Sequence, residues 1–93
     1  LNPDSFLSGS ASSAVITVTE PSHGRTTGDT VRFKKVNGFD GFTSSVLTQS
    51  IGYSITVVTP DTYTFSANGP TATAGSSSGG GVDATAGPVS VTP

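Results

Sequence analysis

Pro21-Ser22-His23-Gly24-Arg25-Thr26-Thr27-Gly28-Asp29-Thr30-Val31-Arg32-Phe33 is a run of turn-forming residues between two segments that both alternate apolar with polar. Glycine takes a positive φ without steric cost, and an Asp side chain can bond nearby backbone amides. His23, Gly24, Gly28 and Asp29 therefore read as a structural turn, a two-turn connection between strands. This stretch is scaffold, not chemistry. Before it, residues 14–20 put Ala14, Ile16 and Val18 on one face and Val15, Thr17 and Thr19 on the other, the period of two of a half-buried strand. After it, residues 30–36 turn Val31 and Phe33 inward and Arg32 and Lys34 outward. The two strands are expected to pair antiparallel.

Further along, residues 53–58 and 62–67 are β-branched or aromatic at alternate positions, with Thr59-Pro60-Asp61 between them. Proline presets the first corner of such a turn, so this is a hairpin in which Tyr53, Ile55 and Val57 face Tyr63 and Phe65. Residues 37–50 form the longest connection, where turn residues are interleaved with Phe39 and Phe42. Two readings of that loop stand side by side. Its aromatics plug the core, or Phe39, Asp40 and Phe42 offer themselves to a partner or a glycan. Residues 1–13 open on a turn signal, Asn2-Pro3-Asp4, and run on through small polar residues that do not pack by themselves.

From Asn68 the composition shifts. Residues 76–81 have the make-up of a flexible linker, and order there is expected to come from neighbouring chains. Alternation returns in residues 87–93, where Val89 and Val91 lie between Pro88 and Pro93. Proline suits an edge position, so Val89 and Val91 are candidates for an assembly strand. No helix and no internal repeat is expected. The fold class is all-β, a small antiparallel β-barrel or sandwich with an extended Gly/Ser-rich C-terminal arm, divided into a module over residues 1–68 and an arm over residues 69–93.

The chain has 93 residues, enough for one domain with a thin core. Aromatic side chains must supply much of that core. Charged residues are only 11% of the chain, well below the usual quarter or so, while serine and threonine make up nearly a third. Hydroxyls keep such a surface wet, and weak repulsion between copies favours association. The net charge of −2 argues against nucleic acid and anionic membranes. All four basic residues, Arg25, Arg32, Lys34 and Lys35, fall close together, which reads either as a locally positive face for phosphate or a polyanion or, the commoner case, as a solvated or charged edge. No apolar run approaches the ~18 residues of a membrane helix. The first residue is leucine and methionine is absent, consistent with processing or with a piece of a longer polypeptide.

Little chemistry is signalled. Without cysteine there is neither a disulfide nor a thiolate metal site, and His23 is the sole histidine. Its neighbour Ser22 is adjacent in sequence, which is not triad geometry. The carboxylates Asp4, Glu20, Asp29, Asp40, Asp61 and Asp83 are scattered and sit mostly in turns. Residues 37–41 match neither a Ca²⁺ loop nor a phosphate loop. No catalytic residue, cofactor or metal is expected, and the chain is not read as an enzyme.

The run from Ala14 to Phe33, followed by Gly52-Tyr53-Ser54-Ile55-Thr56-Val57-Val58-Thr59-Pro60-Asp61-Thr62-Tyr63-Thr64-Phe65, resembles a small β-barrel module common in structural proteins of tailed bacteriophages. Those modules read as a Thr/Val strand, His-Gly-Leu-x-x-Gly-Asp-x-Val-x-Phe, a Tyr-x-Val-Thr hairpin and a Ser/Gly-rich exit. They are often described as similar to the small β half-domain of ubiquitin-activating enzymes, a likeness of fold alone here because the cysteine is missing. Arg25 stands where the family has leucine, and residues 37–50 are longer than its average. The resemblance implies a non-enzymatic virion module in a tail, fibre or head-surface protein, located in the virion or outside the cell. Its partners would be copies of itself or neighbouring subunits, joined by strand addition. Two alternatives are a module binding host-surface glycan through the Phe39/Phe42 loop, and a subunit of an O-glycosylated extracellular filament.

Overall fold

Alternation in residues 15–19 becomes the central strand of the molecule. In a computed structural model, which describes residues 1–88, Ile16 and Val18 of β2 (Val15–Thr19) are fully buried. They lie opposite Phe65 and Tyr63 of β6 (Thr62–Ser66), while Thr17 and Thr19 lie opposite Thr64 and Thr62 on the outer face. A one-residue slip would exchange those faces, so the pattern itself fixes the register. The remaining strands are β1 (Phe6–Ser8), β3 (Thr30–Lys34), β4 (Tyr53–Ser54), β5 (Thr56–Thr59), β7 (Ser78–Gly79) and β8 (Thr85–Pro88), with one short helix, α1 (Ser44–Leu47). They form two antiparallel sheets, one ordered β5-β6-β2-β1-β7 and the other β4-β3-β8. The fold is all-β and sandwich-like. Among the described residues the sheets do not close into a barrel.

Aromatics from both sheets meet in the middle. Phe6 stands edge-on to Phe33 with centroids 5.0 Å apart, Phe33 tilts onto Phe65 at 5.1 Å, and Tyr53 lies 4.6 Å from Phe65. Such pairs contribute roughly 0.5–1.5 kcal/mol each beyond the area they bury. Val36, Phe42, Leu47 and Ile55 complete the core.

Several sequence expectations change. Strands β2 and β3 do not pair; they belong to different sheets, and residues 20–29 cross between them. Alternation reports a buried face and does not name the neighbour. The 53–58 segment is likewise two strands. Tyr53 pairs with Val31 in one sheet and Val57 with Tyr63 in the other, and Ile55 lies at the corner. Ile55 donates its N–H to Asp29 C=O at 3.0 Å and accepts from Gly28 N–H at 2.9 Å, so the structural turn at Gly28 and Asp29 stitches the sheets together where the chain changes sheet. Residues 59–61 do make the expected hairpin turn, with a bulge between Val57 and Thr59. The opening segment contributes β1, a strand the composition of residues 1–13 did not suggest. The helix was also unforeseen; it is one turn long, with Thr43 Oγ1 accepting from Val46 N–H at 3.3 Å.

The arm lies on the module through Pro88 instead of extending from it. Gly79 and Gly80 explain why. A Cβ at Gly79 would come within 2.6 Å of Phe39, and one at Gly80, which has φ +106°, within 2.5 Å of Phe6. Glycine is required for that approach, so within what reads as a flexible linker Gly79 and Gly80 form a stretch without side chains laid against aromatic rings. Its order comes from its own chain.

Candidate functional site

The 21–29 turn is held from below by the β5–β6 hairpin. Ser22 N–H donates to Asp61 Oδ1 at 2.8 Å, and His23 N–H donates to Pro60 C=O at 3.2 Å. The ring of His23 is fixed as well. Arg25 N–H donates to its Nδ1 at 2.8 Å, so Nδ1 presents a lone pair, and the proton sits on Nε2, which donates to Thr59 C=O at 2.8 Å. Both nitrogens serve the backbone, and Ser22 is not a partner of the ring. Gly24 and Gly28 have φ +64° and +96°, and Asp29 Oδ2 accepts from Thr26 N–H at 2.9 Å. His23, Gly24, Gly28 and Asp29 thus all sit in the turn in structural positions.

Beside His23 lies a polar cluster that no sequence pattern signalled. Glu20 takes two hydrogen bonds from Arg25, Nε to Oε1 at 3.0 Å and Nη2 to Oε2 at 3.2 Å, and one from the Tyr63 hydroxyl at 2.7 Å. The Arg25 guanidinium stands 5.9 Å from the Tyr63 ring centroid, a cation–π distance. Burial, and then the bond to Glu20, push the Tyr63 phenol far above its ordinary pKa. For Arg25 burial opposes the charge, but the bond to Glu20 and its charge outweigh burial and raise the guanidinium pKa. The three residues lock the turn to β6. They come from separate stretches of chain, and only the fold unites them.

The loop after β3 also turns inward. Phe39 and Phe42 exchange backbone hydrogen bonds at 3.0 and 2.8 Å around Asp40 (φ +47°) and Gly41 (φ +87°), a tight two-residue turn. Phe42 is 1% exposed. Phe39 is half-buried, 6.3 Å from the Phe6 ring and 5.7 Å from Phe42. Asp40 serves as a clamp: its carboxylate accepts from Ser8 Oγ at 2.7 Å, Ala74 N–H at 2.8 Å and Gly75 N–H at 3.0 Å. The Ser8 hydroxyl first, and then the backbone amides, hold this carboxyl below its ordinary pKa. Phe39, Asp40 and Phe42 are brought together, and what they engage is the arm and β1 of the same chain.

The basic residues separate. Arg25 turns to Glu20, while Arg32 and Lys34 lie on the outer side of β3, which buries Val31 and Phe33. Val89 and Val91 lie outside the described residues. Among the described residues no group of three or more His, Asp or Glu is placed to hold a metal ion, and no helix is long and apolar enough to cross a membrane. A scan of protein-family models and searches of curated proteins and solved structures returned no match.

The most distinctive surface is the outer face of the five-stranded sheet. Its strands contain no charged residue. One row crosses it from Ser78 through Leu7, Thr17 and Thr64 to Thr56. Leu7 and Val15 stand 44% and 41% exposed on it.

Proposed function

We propose that this chain is a non-enzymatic structural module of a bacteriophage virion, in a tail, fibre or head-surface protein, that packs against like or neighbouring subunits. The observation that carries the reading is the uncharged outer face. Protein interfaces are depleted of charge at their centres, and a hydroxyl-coated sheet with Leu7 and Val15 exposed can meet another such surface without burying an unpaired ion. The module motif of residues 14–33 and 52–65 and the low overall charge support the same reading. Strand addition supplies the second contact. β8 has β3 on one side and no described strand on the other, and the chain continues past it into Val89-Ser90-Val91, which would extend the edge of a neighbour.

Two variants separate these contacts. Leu7→Lys puts a charge on the face at an exposed position next to its central strand and is expected to stop association while the chain stays folded. A chain ending at Pro88 is expected to stop linear growth. Light scattering with a circular dichroism control reads both. Association unchanged in both variants would contradict the proposal.

A further inference from the structure

The opposite face of the sandwich carries a different feature. A trough of about 530 Å³ lies on the three-stranded sheet, its walls including Arg32, Lys34, Ser50, Thr85 and Gly87. Arg32 and Lys34 are two residues apart on β3 and so share a face, and in register they oppose Gly87 and Thr85 of β8. Gly87 leaves the floor bare, since a Cβ built there would meet no atom within 4 Å. Among the described residues Arg25–Glu20 is the sole ion pair, so no carboxylate there answers Arg32 or Lys34. Arg32 Nε is shut away from solvent and has no acceptor among the described residues.

We propose that the trough binds a sulfate or phosphate ester carried on a sugar. A guanidinium edge fits two oxygens of an oxyanion at once, and a lysine adds a mobile point charge. Because Nε is closed to solvent, the oxyanion would meet Arg32 at its outer Nη1/Nη2 edge, with Lys34 beside it. The volume exceeds what a bare ion fills and falls within the ~300–1,000 Å³ of small-molecule sites, leaving room for a ring between the hydroxyls of Ser50 and Thr85. Among the described residues no aromatic side chain lines the trough, so a nucleobase would find no stacking platform there. The site is separate from the Phe39/Phe42 loop and from the uncharged face.

The test is a titration of the full chain, followed by amide NMR, with N-acetylglucosamine 6-sulfate, N-acetylglucosamine and inorganic sulfate. The sulfated sugar is expected to shift the amides of Arg32, Lys34 and Gly87 saturably, the neutral sugar to leave them in place, and sulfate to act on the same amides more weakly. Arg32→Gln should weaken binding about tenfold or more, as losing a charge-assisted hydrogen bond does. Gly87→Val fills the floor with a strand-favouring residue and should abolish binding without changing charge, in a protein whose spectrum stays dispersed. Equal affinity for sulfate and the sulfated sugar would overturn the assignment to a sugar. Absence of saturable shifts, or shifts that both variants leave unchanged, would overturn the site.

Discussion

Asp40 is the residue on which most of the polar organisation at its end of the molecule depends. Its carboxylate receives Ser8, Ala74 and Gly75, so it ties β1, the loop and the arm together. Because its folded pKa lies below the ordinary value near 3.9, its contribution is complete above that value and is lost as pH falls through the lower folded one. Asp40→Asn should therefore melt at a lower temperature than the parent at neutral pH, with the difference shrinking as the parent is taken below about pH 4; thermal melts across pH check this. Tyr63 runs the other way. Its phenol is raised, so the stability it adds is full below the ordinary tyrosine value near 10 and is lost as pH rises. Tyr53, also raised by burial, behaves alike. As these are the only two tyrosines, absorbance titration should show both ionising above the ordinary tyrosine value, with Tyr63 the later of the two. Tyr63→Phe removes one bond to a partly exposed carboxylate and should lower stability by about 1 kcal/mol in urea denaturation. Of these roles, the turn geometry of Gly24, Gly28 and Asp29 was legible in the sequence, because φ > 0 and Asx bonding are local properties. The partners of Glu20 and Asp40 were not, because a hydrogen bond across 43 residues, as from Tyr63 to Glu20, leaves no mark on either neighbourhood.

At the scale of elements, alternation located β2, β3 and β6, and the 59–61 turn gave β6 its β5 neighbour, but the pairing expected between β2 and β3 is not made. The 53–58 segment shows the limit: its pattern is continuous, yet Ile55 is where the strand passes from one sheet to the other, and nothing in a period of two marks a corner. β1 was hidden for a different reason, since three residues between a turn and a serine run are too short to show a period. The arm carries the clearest prediction here. Gly80→Ala places a methyl against the Phe6 ring at a φ that only glycine readily adopts. It should destabilise the fold by about 1–3 kcal/mol and speed amide exchange at Asn37, whose N–H donates to Gly80 C=O at 2.8 Å. Exchange unchanged at Asn37 would mean that the arm is held by something other than its glycines.

For the whole molecule, the two outer faces differ in kind. One is uncharged and hydroxyl-rich, while the other presents Arg32 and Lys34 beside a trough. The all-β class followed from the sequence, and the split into two unlike faces did not, because it depends on which strands share a sheet. The uncharged face and the β8 edge are the two surfaces proposed for assembly. Light scattering of the purified full chain, backed by negative-stain microscopy, addresses this most directly. Regular particles or filaments that lose their order in Leu7→Lys are the predicted result, and a chain that stays monomeric at high concentration would contradict it.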